Sequence, residues 1–300
     1  MKTLVLGSTG LLGQEMAREV RRRGHLLREA ARCGATIALD IADDGALDAV
    51  LAAEAPDLVV NCAALTDIET CERDPLSAWR TNARPLAALA LWSRRTGGRL
   101  IHISTDQYYS GGGAVAHDEK APVSFFNEYA RSKFAGEAFA LTAANTLVLR
   151  TSIVGIRGWE RPTFAEWAID VAANDRPATV FSDAYTSSID VIAFARAALD
   201  MVDARATGLF NLAAKEVYTK EDFVREIARQ LGTPLTAATA GSVRTLDTRR
   251  ADSLGLDVRR AETLLGNALP GLAQVVASVL RQYNETNRHE LPDIASHRHA

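Results

Sequence analysis

The sequence has little of what marks several large classes of protein. Its 300 residues include three cysteines, an odd number without the spacing of a zinc site, so we expect neither a disulfide framework nor a metal site. The net charge is −3 and no long basic block occurs, which argues against nucleic acid and against a membrane surface as partners. No apolar run is long enough to cross a bilayer. We therefore expect a reduced, cytoplasmic protein, and no signal peptide because the first apolar run begins near Met1.

What the chain does contain is a large apolar fraction and a regular alternation of patterns. Apolar residues make up 47% of the sequence, enough for one large domain or two. The predicted strands are Thr3–Leu6, Leu26–Arg28, Thr36–Leu39, Leu58–Asn61, Leu100–Ile103, Leu147–Arg150 and Leu209–Leu212. The predicted helices between them are Gln14–Arg23, Leu47–Glu54, Pro75–Arg95, Glu128–Ala144 and Ile192–Val202. Strands that alternate with helices indicate an α/β fold with a doubly wound parallel sheet of the Rossmann type.

The alternation changes after Arg150, which indicates a second unit. Residues 1–152 and about 180–212 are predicted to form the sheet domain. Residues from about 153 to 179 and from 213 to 282 are predicted to form a smaller, mostly helical lobe over the carboxyl ends of the strands, where ligands bind in such sheets. Residues 283–300 are predicted to be a polar C-terminal tail. It carries His289, His297 and His299, and we interpret it as a frayed end, with a metal site as the alternative.

A glycine-rich turn follows the first predicted strand and opens the first helix. Its sequence is Gly7-Ser-Thr-Gly10-Leu-Leu-Gly13. In this position glycines permit a tight turn and a close approach of the backbone to a pyrophosphate, which the helix N-terminus attracts. We therefore predict that the sheet domain binds a dinucleotide.

The end of the second predicted strand bears on which dinucleotide is bound. An acid there usually holds the ribose 2′-hydroxyl of NADH, whereas an Arg suits the 2′-phosphate of NADPH. Ala31 stands near the expected acidic position and Arg32 follows it, which favours NADPH and an NADP-binding domain. Glu29 leaves NADH possible, because it would be the acid if the strand ended two residues earlier.

Two further segments indicate chemistry at a carbonyl group. Tyr129 and Lys133 are four residues apart in a predicted helix and share a face, so the ammonium is expected to lower the pKa of the phenol. A tyrosine tuned in this way is a general acid or base. Ser104, Thr105 and Asp106 follow the predicted fifth strand. Together with the glycine turn, these segments predict a bound dinucleotide and a phenol that gives a proton to a carbonyl.

With these residues in place, the chain resembles the extended short-chain dehydrogenases/reductases, and among them the dTDP-4-dehydrorhamnose reductases. Beyond the motifs above, the resemblance rests on the segments Leu39–Ile41, Pro56–Thr66 and Arg150–Gly155. It implies that Tyr129 donates a proton to the substrate carbonyl and that Lys133 lowers the pKa of Tyr129 and holds the nicotinamide ribose. It also implies that Thr105 hydrogen-bonds the carbonyl and stabilises charge that develops there.

The same resemblance implies two sets of binding residues. The cofactor set is Gly7, Thr9, Gly10, Leu11, Leu12, Gly13, Arg32, Asp40, Ile41, Cys62, Ala63, Ala64, Ser104, Tyr129 and Lys133. The substrate set is Thr66, Asp106, Thr151, Ser152, Ile153 and Arg244. The implied partner is a nucleotide-linked sugar, bound by a monomer or a homodimer.

The sequence departs from these relatives near the expected substrate. Gln107 stands where sugar-nucleotide dehydratases carry the Glu that acts as a base in elimination, so dehydration is disfavoured. Tyr108 and Tyr109 replace a usual Val-Phe pair, and we expect them to make the pocket more polar or more crowded. Ile153 replaces a Trp that contacts substrate in the rhamnose-forming enzymes.

The leading hypothesis is an oxidoreductase that uses NADPH to reduce a keto group on a nucleotide-activated 4-keto-6-deoxy sugar, with Tyr129 as the proton donor. One alternative is a sugar-nucleotide epimerase that keeps its cofactor bound. The other is a regulatory subunit that binds NADP without catalysis.

Overall fold

A sheet of seven parallel strands forms the centre of the molecule. The computed structural model describes residues 1–159 and 161–290. In chain order the strands are β1 (Lys2–Leu6), β2 (Leu26–Ala31), β3 (Ile37–Ala38), β4 (Leu58–Asn61), β5 (Arg99–Ile103), β6 (Thr146–Arg150), β7 (Ile153–Val154), β8 (Ala178–Phe181), β9 (Tyr185–Thr186), β10 (Ile189–Asp190), β11 (Gly208–Asn211), β12 (Tyr218–Thr219), β13 (Ala238–Gly241) and β14 (Ser253–Leu254). The central sheet has the order β11-β6-β5-β4-β1-β2-β3, which confirms the predicted fold class and contains all seven predicted strands.

Helices connect the strands and cover the sheet. They are α1 (Leu11–Arg22), α2 (Asp44–Glu54), α3 (Ile68–Arg73), α4 (Pro75–Asn82), α5 (Arg84–Thr96), α6 (Glu128–Ala140), α7 (Phe164–Ala173), α8 (Val191–Asp203), α9 (Lys220–Leu231), α10 (Arg259–Leu265) and α11 (Leu272–Glu290), with a short 3-10 turn at Val243–Thr245. The core on one face of the sheet includes residues of α1 and α8, and that on the other includes residues of α2 and α5. Strands buried on both faces explain the apolar runs without alternation.

Two predicted elements differ from the structure in an informative way. The single helix predicted at Pro75–Arg95 is two helices, α4 and α5, because Pro85 has no N–H to donate to the preceding turn. The second strand runs to Ala31 rather than to Arg28, because its pairing with β1 continues through Leu6 and Ala30.

The smaller lobe contains short strands as well as helices. Short strands form three small sheets, in which β7 pairs with β10, β8 pairs with β13, and β9 pairs with β12 and β14. A separate apolar core joins α7, α9 and α11 through residues such as Ile169, Phe223 and Val276. Within the range predicted for this lobe, α10 packs against α8 and contributes Ala261 to the core of the sheet domain.

The last described helix enters the predicted C-terminal tail. Helix α11 continues to Glu290, so residues 283–290 are helical and His289 lies on that helix. His297 and His299 lie outside the described residues. In the described part of the chain, no helix is both long and apolar enough to cross a membrane.

A buried ion pair lies at the carboxyl end of the sheet. Arg150 ends β6 and Glu137 lies on α6; their side chains are 4% and 2% exposed, and Nη2 lies 2.8 Å from Oε2. The Ser104 hydroxyl donates to Glu137 at 2.6 Å, and Arg150 donates to the Tyr109 hydroxyl at 2.8 Å. Because both charges are removed from water, each depends on the other and on these hydrogen bonds.

Replacement of Arg150 by Met is expected to destabilise the protein severely. The change would leave the Glu137 carboxylate buried without its cation, which costs about 3–5 kcal/mol. The free energy of unfolding from urea titration measures this loss. The control is Arg176→Met, which removes an ion pair with Asp170 whose partners are 60% and 42% exposed, and which is expected to cost less than about 1 kcal/mol. Equal losses in the two variants would contradict the role assigned to the buried pair.

Candidate functional site

The carboxyl ends of neighbouring strands bring the predicted site segments together. Gly7 follows β1, Cys62 follows β4, Ser104 follows β5 and Thr151 follows β6, and these strands are consecutive in the sheet. Ligands bind at this edge of parallel sheets. The first two segments are in close contact, because a Cβ atom on Gly7 would lie 2.7 Å from the backbone nitrogen of Ala63.

The glycine turn leaves the start of α1 open to an anion. Gly7 has a φ of 73°, a conformation that favours glycine. A Cβ atom on Gly13 would lie 2.0 Å from the Gly7 carbonyl oxygen, so α1 can pack on the turn only with glycine there. Gly10 is the N-cap residue and offers no side-chain cap, which leaves the first N–H groups of the helix, at Leu11 and Leu12, available to phosphate oxygens.

The end of β2 places Arg32 beside the glycine turn. The strand ends at Ala31, Arg32 follows and is exposed, and a Cβ atom on Gly34 would lie 3.5 Å from the Thr9 side chain. Glu29 lies within the strand, and its carboxylate pairs with Arg21 on α1. The structure therefore places Arg32, and not Glu29, at the end of the strand.

The other predicted cofactor residues differ in exposure and in the groups that could contact a ligand. Asp40 is exposed, and its carboxylate accepts a hydrogen bond from the Ala42 N–H at 3.0 Å. The Ile41 side chain is 6% exposed and packs in the core, so only its backbone could contact a cofactor. Burial raises the pKa of the Cys62 thiol to about 12, so this residue is an uncharged, small lining group. Ala63 and Ala64 follow it in an irregular segment before α3.

Helix α6 carries the predicted catalytic pair. Asn127 is its N-cap, and the Asn127 side chain accepts a hydrogen bond from the Ala130 N–H at 2.8 Å. Tyr129 is therefore in the first turn of the helix. Burial raises the pKa of Tyr129, and a hydrogen bond with Thr105 opposes that increase without reversing it. Thr105, just after β5, thus lies close to the phenol, and the contact with a substrate carbonyl that the resemblance implied for it stays a prediction.

Lys133 is not among the groups that shift the pKa of Tyr129 in this structure, and the effect expected of it on the phenol stays a prediction. The Lys133 ammonium donates to the Ile103 carbonyl at 2.6 Å, at the end of β5. Burial lowers the pKa of Lys133 itself to about 8. The shared helix face was predicted from spacing alone, whereas the pKa of the phenol is set by the degree of burial, which spacing does not reveal.

Asp106 is a buried acid beside Thr105. It is 3% exposed, its Oδ1 accepts a hydrogen bond from the Gln107 amide at 3.3 Å, and its Oδ2 has no partner among the described residues. Burial raises the pKa of Asp106 to about 6, although Lys220 lies close enough to oppose the shift. Gln107 therefore serves as a hydrogen-bond donor to Asp106.

The predicted substrate residues do not all converge. Thr66 is exposed near the end of β4, whereas Thr151 is buried and its hydroxyl has no partner among the described residues. The Ser152 hydroxyl is 2.8 Å from that of Ser188, and Ile153 begins β7. Arg244 pairs with Asp252 at 3.2 Å, and that carboxylate also accepts hydrogen bonds from Ser110 and the Gly111 N–H. Asp252 thus anchors a loop of the sheet domain to the smaller lobe, and Arg244 pairs with that carboxylate from its exposed side.

The expectation that Tyr108 and Tyr109 change the substrate pocket is wrong. Their side chains are 0% and 2% exposed and belong to the core of the sheet domain. The Tyr108 hydroxyl is 3.1 Å from that of Ser104, and the Tyr109 hydroxyl accepts a hydrogen bond from Arg150. Both residues therefore complete the buried network around Arg150.

Lys220 was missed by the sequence reasoning. It begins α9 in the smaller lobe, and its ammonium lies 4.3 Å from the centroid of the Phe164 ring. Burial lowers its pKa to about 8, with Asp106 opposing the shift. A signal was present in the sequence, since the capping box Thr219-x-x-Asp222 marks a helix start at which a lysine is unfavourable.

The strand order and the glycine turn define a dinucleotide-binding protein of the Rossmann class. Residues 1–285 match the family model described as the RmlD substrate binding domain, and the chain belongs to that family. This confirms the resemblance to dTDP-4-dehydrorhamnose reductases.

Individual relatives agree with this family. The probable low-salt glycan biosynthesis reductase Agl14 of Haloferax volcanii is 30% identical over 95% of this chain and 99% of its own length. The dTDP-4-dehydrorhamnose reductase of Escherichia coli is 30% identical over 78% of this chain and 81% of its own. The dTDP-4-dehydrorhamnose reductase of Bacillus anthracis, solved in complex with NADP, shares the fold with a TM-score of 0.83 and 20% identity over 93% of this chain and 97% of that one.

The buried carboxyl of Asp106 predicts a pH-dependent effect on stability. A carboxyl whose pKa rises on folding from 3.8 to about 6 binds protons more tightly when folded, so the wild-type protein loses stability as the pH rises through that range. Asp106→Asn removes this loss. Relative to wild type, the variant is expected to gain up to about 3 kcal/mol between pH 4 and pH 7. Urea titrations of both proteins at the two pH values measure it, and a difference that does not change with pH would contradict the buried, ionised state.

Proposed function

We propose that this protein is an NADPH-dependent ketoreductase that acts on a nucleotide-activated 4-keto-6-deoxy sugar. The observation that carries the proposal is the proximity of the Tyr129 phenol to the buried Thr105 side chain at the carboxyl end of the sheet. Two hydroxyl groups that meet at this edge can both contact one carbonyl oxygen. Membership of the family of sugar-nucleotide reductases supports the choice of substrate class.

Tyr129 is the proton donor in this proposal. Because burial raises the pKa of its phenol, Tyr129 is protonated at neutral pH and can give a proton to the oxygen of the substrate as it becomes an alkoxide. Thr105 donates a hydrogen bond to the same oxygen and stabilises the negative charge.

Lys133 contributes a positive charge and an anchor. Its ammonium is held on the Ile103 carbonyl and still has two hydrogens for a bound ligand. We assign the ribose of the nicotinamide half to Lys133, since Lys133 lies one turn after Tyr129 on the same helix.

NADPH is the proposed cofactor, and when bound it supplies the hydride. The glycine turn would hold the pyrophosphate, Cys62–Ala64 would lie along the nicotinamide half, and Arg32 would hold the 2′-phosphate. The Bacillus anthracis protein, which shares this fold, was solved with NADP.

The neighbours of Asp106 favour reduction over elimination. Elimination of water from a sugar needs an acid and a base, and Gln107 cannot act as the base. Its amide instead donates to Asp106, so this segment serves substrate binding in the proposal.

Tyr129→Phe is expected to lower kcat for NADPH oxidation by roughly 100-fold or more, because a general acid contributes about 10²–10⁴-fold. NADPH affinity should be retained, and fluorescence titration checks it. Turnover close to wild type would refute Tyr129 as the donor. Protein that retains tightly bound nicotinamide and converts sugar nucleotides without added NADPH would instead identify an epimerase.

Arg32→Ala is expected to raise the KM for NADPH by roughly 10- to 100-fold, because a charge-assisted hydrogen bond is worth about 1.5–3 kcal/mol. The KM for NADH should stay within about twofold, since NADH lacks the 2′-phosphate. Arg28→Ala is the matched control, because Arg28 lies on the same strand but pairs with Glu54. An equal change for both cofactors would contradict the assignment of Arg32.

A further inference from the structure

Lys220 occupies a position that is unfavourable for a lysine. It is the first residue of α9, directly after the N-cap residue Thr219. A cation there faces the positive end of the helix dipole. The capping box with Asp222 and a hydrogen bond from the Lys220 N–H to the Ala184 carbonyl, at 3.1 Å, fix the backbone on both sides. Local structure therefore does not explain why a lysine stands here.

The Lys220 ammonium also has no ion pair in direct contact among residues 1–159 and 161–290. It lies 4.3 Å from the centroid of the Phe164 ring, and burial lowers its pKa to about 8. Among the described residues, Asp106 is the charged group that attracts it, yet the two do not form an ion pair in direct contact. The charge of this half-buried cation is thus only partly compensated.

Asp106, the acid that attracts this cation, has an unused acceptor. It is 3% exposed, its Oδ1 is bonded to Gln107, and its Oδ2 has no partner among the described residues. A buried acceptor without a donor costs about 1–3 kcal/mol. The two side chains come from different parts of the molecule: Asp106 follows β5 of the sheet, and Lys220 belongs to the smaller lobe.

The opposite charges of Lys220 and Asp106 determine which kind of ligand group can bind between them. The carboxylate repels an anion and the ammonium repels a cation. A neutral hydroxyl group satisfies both, because it accepts a hydrogen bond from the ammonium and donates one to Asp106 Oδ2. Asp106 adjoins Thr105, so this hydroxyl would lie beside the carbonyl oxygen that Thr105 contacts.

We infer that Lys220 and Asp106 together bind the hydroxyl group on the carbon next to the keto group, so that Lys220 determines which keto sugars are accepted. The inference rests on the proposed function, which places the keto group at Thr105 and Tyr129. It adds a residue of the smaller lobe to the recognition of the reacting part of the sugar.

Lys220→Met tests the inference, because Met keeps a side-chain stem over Phe164 and removes the charge. The two substrates are a dTDP-linked 4-keto-6-deoxyhexose that carries the 3-hydroxyl and its 3-deoxy analogue. Wild type is expected to prefer the hydroxyl-bearing sugar in kcat/KM for NADPH oxidation. The variant should lose roughly 10- to 100-fold in kcat/KM with that sugar, and less than about threefold with the analogue, as expected for one charged hydrogen bond.

The control is Lys215→Met, which changes an exposed lysine of the same lobe and should leave both kcat/KM values unchanged. An equal loss with both sugars would assign Lys220 a structural role and overturn the inference, and so would a wild type that does not distinguish the sugars. A purely structural defect would not change the preference between two substrates that differ by one hydroxyl.

Equilibrium binding separates failure of this inference from failure of the proposed function. If wild type oxidises NADPH with neither sugar, the proposed function fails. Calorimetric titration of the NADP⁺-loaded protein with the same two sugars then decides the role of Lys220. Tighter binding of the hydroxyl-bearing sugar that Lys220→Met abolishes would support the inference, and binding without that preference would overturn it.

Discussion

The buried ion pair between Arg150 and Glu137 is the constraint on which the geometry of the site depends. Neither charge can be left alone in the interior, so β6 and α6 must keep a fixed relative position. Ser104 donates to the same carboxylate, which adds the end of β5 to the pair. Tyr109 adds the loop after β5 through its hydrogen bond to Arg150. Three segments that carry predicted site residues are therefore held around one pair of charges.

Helix α6 is hydrogen-bonded to the last residue of β5 and to the residue that follows it. Glu137 accepts from Ser104, and Lys133, one turn earlier, donates to the Ile103 carbonyl. These two contacts fix both the position of the helix along the strand and its rotation about its own axis. Tyr129, a further turn toward the N-terminus, then comes to Thr105. The meeting of phenol and threonine thus follows from hydrogen bonds that lie outside the reacting groups.

The sequence was most informative where a local rule decides the outcome. Apolar runs predicted all seven strands of the sheet, and the spacing of Gly7, Gly10 and Gly13 predicted the turn that only glycine allows. Expectations from the sequence were wrong where the burial of a side chain determines its role. Tyr108 and Tyr109 follow a strand near the site, but long-range contacts turn them into the core. Lys220 is about ninety residues from Tyr129 in sequence, and only the packing of the smaller lobe brings it near Asp106.

Burial of the Tyr129 phenol bears on the direction in which a proton would move in the proposed reaction. A phenol whose pKa is raised stays protonated at neutral pH, which suits a proton donor and opposes the reverse role of base. The same desolvation lowers the pKa of Lys133 and raises that of Asp106, so three ionisable groups are shifted toward their neutral forms. A water-poor site strengthens the hydrogen bonds made to a developing alkoxide. Keto reduction, in which negative charge appears on the substrate oxygen and is removed by a proton, is the reaction that such an environment favours.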